Sequence, residues 1–334
     1  MRYLLPLAFC AAFLVCCGLV GRHEVKVRVV DESGASVAGA KSSIYFVNAR
    51  NDVRRDGLTD KNGLSSASGS GTNSFGFIIT KEGHYQARVE GLSKDRDHDV
   101  KVVLPRILNP IPLYAQHGGS ATAIAFPVQN EWVGFDLEVA DWVAPHGKGK
   151  TADFLLRFKN EFKGWRNGLE DDIDAHIAAT KESALLLKEE WTMEKFKIKA
   201  GRWEGVMELS FPGEGEGLFE EKRFLAYCPL KLPHLAPEEG YVPTRSFVVN
   251  GNFSPGREDI GLFLRTRVRR DKQGKMISAN YAKVIGDFRV STPGPGGFSL
   301  AYYFNPTPND RNLEFDTDKN LFPKEKPGTN VYDP

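Results

Sequence analysis

Val25, Val27 and Val29 share one face of an extended segment, while Lys26 and Arg28 take the other, so Glu24 to Val30 is predicted as a half-buried strand. Asp31-Glu-Ser-Gly34 ends it with residues that bond the nearby backbone or accept positive φ. After the small residues Val37-Ala-Gly-Ala40, a second strand is expected at Ser42 to Val47. Thr59-Asp-Lys-Asn-Gly63 reads as a turn, Phe75 to Ile79 as a strand, Lys81-Glu-Gly-His-Tyr85 as a turn and Val100 to Leu104 as a closing strand. Asn48 to Gly57 and Ser65 to Ser74 lack apolar alternation and read as enlarged loops. Short strands at this spacing predict two small packed sheets.

Pro105-Arg-Ile-Leu-Asn-Pro-Ile-Pro112 is read as a connector and domain boundary. Beyond it, alternation predicts strands at Val133 to Val143, Ala152 to Phe158, Gly205 to Phe211, Arg245 to Val249 and Phe298 to Phe304. The clearest hairpin joins Ile260 to Arg269 with Lys275 to Asp287 through Asp271-Lys-Gln-Gly274. One segment changes period: Ile173, Ile177, Ala184, Leu187 and Trp191 recur at roughly helical spacing over Asp172 to Trp191. No repeat that would indicate a solenoid or propeller is visible. Residues 316–334 are polar and proline-bearing and read as a tail that lies along the surface or frays.

At Val27 to Gly34 with Val37-Ala-Gly-Ala40, at Thr59-Asp-Lys-Asn-Gly63 and at Gly83-His-Tyr85, the chain resembles the carboxypeptidase regulatory-like family. Ala38 stands where that family often has proline. The resemblance implies an immunoglobulin-like or transthyretin-like β-sandwich over 23–105, of a kind found in exported bacterial proteins. The expected fold class is therefore mainly β: that sandwich, then a larger antiparallel β-rich domain over 113–315 with one helical insertion, then the tail. The segment Tyr281 to Phe322 is similar to uncharacterised bacterial envelope proteins, which implies no activity.

The first 17 residues carry one early positive charge and an apolar run of about a dozen residues, the make-up of a secretory signal peptide and too short for a comfortable span. Leu14-Val-Cys-Cys17 resembles a bacterial lipobox, with Cys16 where a small residue is usual, and the resemblance implies lipidation of Cys17. The competing reading is an ordinary signal peptide cut near Val20. Export to the cell envelope is expected either way, with attachment at the outer membrane or periplasmic face through a lipidated Cys17. Cys228 is the one cysteine outside this leader, which excludes a disulfide framework or a cysteine zinc cage in the body. With 44 basic and 43 acidic residues, the charge balance offers no argument for nucleic acid.

Several groupings invite chemistry. Gly147-Lys-Gly-Lys-Thr151 lacks the upstream glycine of a phosphate-cradling loop and reads as a basic turn. His117-Gly-Gly119 has no Gly-x-Ser-x-Gly elbow to serve, and no histidine stands in a zinc-peptidase motif. The carboxylates of Glu170 to Asp174 suit a helix N-terminus better than a cation site. Arg265, Arg267 and Arg269 would share one face of a strand, either as charges guarding an edge or as an anion-binding row. Trp132, Trp142, Trp165 and Trp203 would stack on sugar rings if exposed. The function expected is non-catalytic: a cell-envelope lipoprotein with a structural or ligand-binding role, its partners a membrane through the lipid anchor and an envelope polysaccharide or another envelope protein, with no cofactor and no metal. The alternative is an envelope glycan hydrolase using paired carboxylates, for which Asp136, Glu138 and Asp141 are the candidates.

Overall fold

The computed structural model describes residues 22–47, 52–70, 74–93, 99–166, 169, 171–224 and 227–334. Cys17 and the rest of the leader lie outside them, as does Glu170. The chain divides into two compact units, Met1–Arg106 and Ile107–Pro334.

In the first unit the strands are β1 (Arg22–Val30), β2 (Lys41–Phe46), β3 (Val53–Leu58), β4 (Leu64–Ser70), β5 (Ser74–Thr80), β6 (Ala87–Ser93) and β7 (Asp99–Val103). They form two sheets, ordered β4-β1-β7 and β3-β2-β5-β6, and the β1–β7 pair is parallel. The valines of β1 are fully buried, with Val100 and Val102 from β7 and Ile44, Phe46, Phe75, Phe77 and Ile79 from the other sheet. The turns form as their chemistry predicts. Asp31 Oδ1 accepts from the Ser33 and Ala35 amides, both at 2.9 Å, and Asp60 Oδ1 from those of Asn62 and Leu64, both at 2.8 Å.

Two of the expected loops contain strands. β3 is an edge strand, largely exposed, that pairs with β2 from Lys41↔Leu58 to Phe46↔Val53. β4 pairs with β1, and the Phe46 ring lies where a side chain at Gly69 would stand, so its Ser- and Gly-rich sequence reflects close packing rather than looseness.

The second unit comprises β8 (Tyr114–Gln116), a short 3-10 turn (Ser120–Thr122), β9 (Ile124–Ala125), β10 (Val133–Asp136), β11 (Asp141–Trp142), β12 (Phe154–Trp165), α1 (Ile173–Leu186), α2 (Met193–Ala200), β13 (Gly201–Ser210), β14 (Gly217–Lys222), β15 (Thr244–Asn250), β16 (Phe253–Ser254), β17 (Ile260–Arg270), β18 (Met276–Ser291) and β19 (Gly297–Asn305). A five-stranded sheet, β11-β10-β12-β13-β15, shares an apolar core with a seven-stranded sheet in which β14-β17-β18-β19-β8 run in order, β16 pairs with β18 and β9 pairs with β19. Phe135, Phe154, Phe158 and Leu209 enter that core from the first sheet, and Leu262, Val284, Phe298 and Tyr302 from the second.

The helix expected over Asp172 to Trp191 ends at Leu186, and a second helix that alternation did not signal, α2, follows it: Asp172 caps α1, its Oδ1 accepting from the Ala175 amide at 3.3 Å, and Thr192 caps α2. The strand expected over Val133 to Val143 is a tight hairpin, in which Phe135 pairs with Trp142 and Asp136 with Asp141. Asp136 Oδ1 draws in the Glu138 amide at 3.0 Å, and Ala140 adopts a positive φ.

The far face of the seven-stranded sheet is covered over most of its length. Leu232, Ala236 and Leu313 pack on Phe263 and Tyr281, and Leu113, Phe315 and Val331 pack on Tyr303. Residues 316–334 accordingly lie along the surface as a docked cover and do not fray. Asn320 bonds both backbone groups of Ala115, Phe322 enters the main core, and Lys326 Nζ donates to the Val139 carbonyl at 3.0 Å. A segment poor in apolar residues docks here by satisfying backbone polar groups.

Candidate functional site

The arginine row of β17 does not form one exposed face. Arg267 sits in a β-bulge with φ 53°, and the register shifts between Thr266 and Arg269. A bulge re-aims a side chain that alternation would place on the other face. The Arg267 guanidinium reaches three carboxylates: Asp153 through Nε at 2.8 Å, Glu138 through Nη1 at 2.6 Å and Asp136 through Nη2 at 3.1 Å. It also lies over the Phe304 ring, 4.7 Å from its centroid. Arg265 donates to the Gly215 and Glu238 carbonyls and covers Tyr241. Arg269 is exposed and lines a polar hollow of about 470 Å3 with Thr151, Ser278 and Asn280.

The carboxylates considered for hydrolysis lie in the same hairpin, where Asp136 and Asp141 hold its backbone and Glu138 pairs with Arg267. Asp136 is buried, and its Oδ2 accepts from the Lys150 and Thr151 amides at 2.8 and 3.1 Å. The Gly-Lys-Thr stretch is thereby a turn fastened to β10. Asp141 accepts from the Trp142 and Lys148 amides at 2.8 and 3.0 Å. Asp153, which alternation did not single out, is fully buried and accepts from Leu137 N, Thr266 Oγ1 and Arg267. Its only sequence signal is an acidic residue at the mouth of an otherwise apolar strand. Burial pushes the Asp153 carboxyl up, and the bonds from Arg267 pull it back only in part.

The tryptophans separate by environment. Trp142 is core, ringed by Phe126, Phe135 and Phe298, with Nε1 donating to the Ala125 carbonyl at 2.9 Å. Trp165 and Trp203 are half-buried around Phe162, and Trp203 Nε1 donates to the Lys197 carbonyl. Trp132 alone of the four is exposed, at 42%. The Arg157 guanidinium lies 4.7 Å from its ring centroid and is itself fixed by Glu208 at 2.8 Å.

Arg157 belongs to the solvent face of the five-stranded sheet. Along β12, β13 and β15 the pairing sets three rows side by side: Arg157, Glu208 and Ser246; Lys159, Val206 and Val248; Glu161, Glu204 and Asn250. The last two rows line an open trough of about 380 Å3. Its middle row is apolar at Val206 and Val248, and its rim is polar. Glu161 and Glu204 stand directly opposite each other, an arrangement that costs stability unless a partner lies between them, and Lys163 meets Glu161 at 2.6 Å. Rows two residues apart are separated by about 7 Å, so the Trp132–Arg157 platform flanks the trough directly.

Among the described residues no group of His, Cys, Asp and Glu is placed to hold a metal ion, and no helix is long and apolar enough to cross a membrane. No family model matches the chain, and no curated protein matches it in sequence. Solved structures similar to it in part include 3-chlorocatechol 1,2-dioxygenase from Rhodococcus opacus 1CP (13% identity, 26% of this chain and 60% of that one, TM-score 0.23). A streptococcal ancillary pilin gives 14% identity over 38% of this chain and 43% of that one, with TM-score 0.22. A protein described as membrane-associated and of unknown function from Bacteroides fragilis NCTC 9343 gives 9% identity over 86% and 98%, with TM-score 0.19.

Proposed function

We propose that this protein is a non-catalytic glycan-binding lipoprotein of the cell envelope, and that the ligand lies along the solvent face of the five-stranded sheet. The observation that carries the reading is Trp132, a large ring exposed at 42% and braced from behind by a guanidinium that Glu208 holds in place. A ring so fixed loses little freedom when a sugar stacks on it, and its apolar face matches the C–H face of a pyranose. Val206 and Val248 offer the same apolar contact along the trough, while Lys159, Glu204 and Asn250 offer donors and acceptors for hydroxyl groups. Basic Arg157, Lys159 and Lys163 are mixed with acidic Glu161, Glu204 and Glu208 on this face, and that balance suits a neutral or weakly charged polysaccharide. In this reading the first unit is a carboxypeptidase regulatory-like sandwich, and lipid on Cys17 holds the protein to the membrane.

Affinity electrophoresis in gels containing isolated envelope polysaccharides tests it. The wild type should be retarded by at least one of them, Trp132→Ala should migrate as in an empty gel, and Trp132→Phe should lie between. Retardation that Trp132→Ala leaves untouched would remove the platform from the site, and release of reducing ends by the wild type would move the protein to the hydrolase class. Intact-mass analysis of membrane-extracted protein should show acyl mass on an N-terminal Cys17.

A further inference from the structure

The far face of the seven-stranded sheet is left open at one end, and what lies there is chemically coherent. β16 pairs Phe253 with Ser291 of β18, and β19 places Gly297 opposite Ser291 and Ser299 opposite Arg289. Phe288, Val290, Phe298 and Leu300 turn into the core between the sheets. The alternate positions Arg289, Ser291, Gly297 and Ser299 therefore face outward. Ser291, Gly297 and Ser299, with little or no side chain, form with Arg289 the floor of a groove of about 360 Å3, within the range of small-molecule sites. The exposed Phe253 ring walls it on one side, and Gly119, Ser120 and Ala123 rim the other.

The groove is predominantly apolar, and among the described residues Arg289 is the one ionisable group in its lining. Among the described residues its guanidinium makes one hydrogen bond, from Nη1 to the Gly118 carbonyl at 3.3 Å. Arg267, by contrast, is met by three carboxylates. A half-buried guanidinium with several donors beyond that one bond favours a planar, two-oxygen anion, which it can take in bidentate fashion. The ring of Phe253 is 58% exposed, a large apolar surface left to water at the opposite wall. An aromatic body stacked there would gain more than its area alone. We propose that this groove binds a small aromatic carboxylate, its anion on Arg289 and its ring against Phe253. The site lies on a different sheet from the glycan trough and stands or falls independently of it.

Isothermal titration calorimetry of the whole protein with 2-naphthoate, and with its uncharged counterpart 2-naphthamide, tests the assignment. The acid should bind, and the amide should bind about tenfold more weakly or worse, since a charge-assisted bidentate contact is lost. Arg289→Gln should abolish the difference between the two ligands, Arg289→Lys should keep part of it, and Phe253→Ala should weaken both by about the same factor. Neither side chain is fully buried, so each variant should melt as the wild type does. The proposal is overturned by absence of binding at millimolar 2-naphthoate, by equal affinity for acid and amide, or by unchanged binding in Arg289→Gln. Dodecanoate binding more tightly than 2-naphthoate would equally overturn it, by assigning the groove to acyl chains.

Discussion

The Arg267 guanidinium meets the Asp153 carboxylate along one edge, Nε to Oδ1 at 2.8 Å and Nη2 to Oδ2 at 3.0 Å, where the carboxylate is wholly removed from water. Asp153 comes from the first residues before β12 and Arg267 from the bulge of β17, so the pair ties the five-stranded sheet to the seven-stranded one. Burial alone would push the Arg267 guanidinium down, yet Asp153 and Glu138 together hold it above its ordinary value.

Removing the guanidinium should therefore destabilise the second unit through what it leaves behind. Arg267→Leu strands a buried carboxylate and should cost about 3–5 kcal/mol by chemical denaturation. Adding Asp153→Asn in that background removes the orphaned charge and should recover part of the loss, a coupling that a double-mutant cycle measures directly. A loss under about 1 kcal/mol for Arg267→Leu would show that solvent reaches the pair.

Two glycines in the first unit make a controlled comparison. Gly34 and Gly63 both end predicted turns at positive φ, 86° and 72°. A Cβ at Gly34 would meet nothing within 4 Å, whereas at Gly63 it would run into the Val29 carbonyl oxygen. Gly34→Ala should therefore cost about 1–2 kcal/mol from backbone conformation alone, and Gly63→Ala clearly more, because β1 must also shift. Equal melting temperatures for the two variants would contradict the close approach.

These turns were readable because their chemistry is local: Asp31 and Asp60 each bond amides two and four residues ahead. The strands whose valines and phenylalanines alternate were readable for the same reason, and so was the β17–β18 hairpin, whose Asp271 Oδ1 accepts from the Gln273 and Lys275 amides. What escaped depends on distant partners. Leu64 to Ser70 has too little apolar character to signal a strand, and becomes one because β1 supplies its hydrogen bonds and Phe46 requires Gly69. Arg267 reads as one of an alternating row, and nothing within β17 announces the bulge that turns it to Asp153. Of the candidate site, Trp132 could be nominated but not ranked, since exposure distinguishes it from Trp142 and exposure belongs to the fold.

Helix α1 should be the least stable regular element of the second unit. Ala184 is its one buried residue, and Leu185, Leu186 and Leu187 face water at its end. With so little packing, the Asp172 cap carries a large share of its stability. Asp172→Ala should cost the helix about 0.5–2 kcal/mol. Hydrogen exchange should show that cost as faster exchange confined to α1, with β18 amides unchanged. Protection in α1 equal to that in β18 would mean that something covers the leucines.

Lys283 lies on the covered face of β18 with no solvent exposure. Its ammonium sits 4.5 Å from the Tyr303 ring centroid and donates to the Pro334 backbone oxygen at 3.0 Å. Burial pushes it from 10.5 down to about 7, Glu314 and Asp333 offsetting a part of that. The unfolded chain keeps the proton up to the ordinary value, whereas the folded chain releases it above about 7. Between those limits the unfolded state holds more protons, so this residue makes stability rise with pH. Below about pH 7 both states are protonated and its slope vanishes, with the full penalty of a buried charge in place. Lys283→Met keeps the packing without the charge and should stabilise the protein at pH 7, by about 1–4 kcal/mol. That advantage should shrink steadily between pH 7 and 9.5 as the wild type sheds its proton. Urea denaturation of both proteins across this range isolates the effect, because every other titrating group is common to the two. A difference that stays constant with pH would mean that Lys283 keeps its ordinary affinity for the proton, and hence that water reaches it beneath the C-terminal cover.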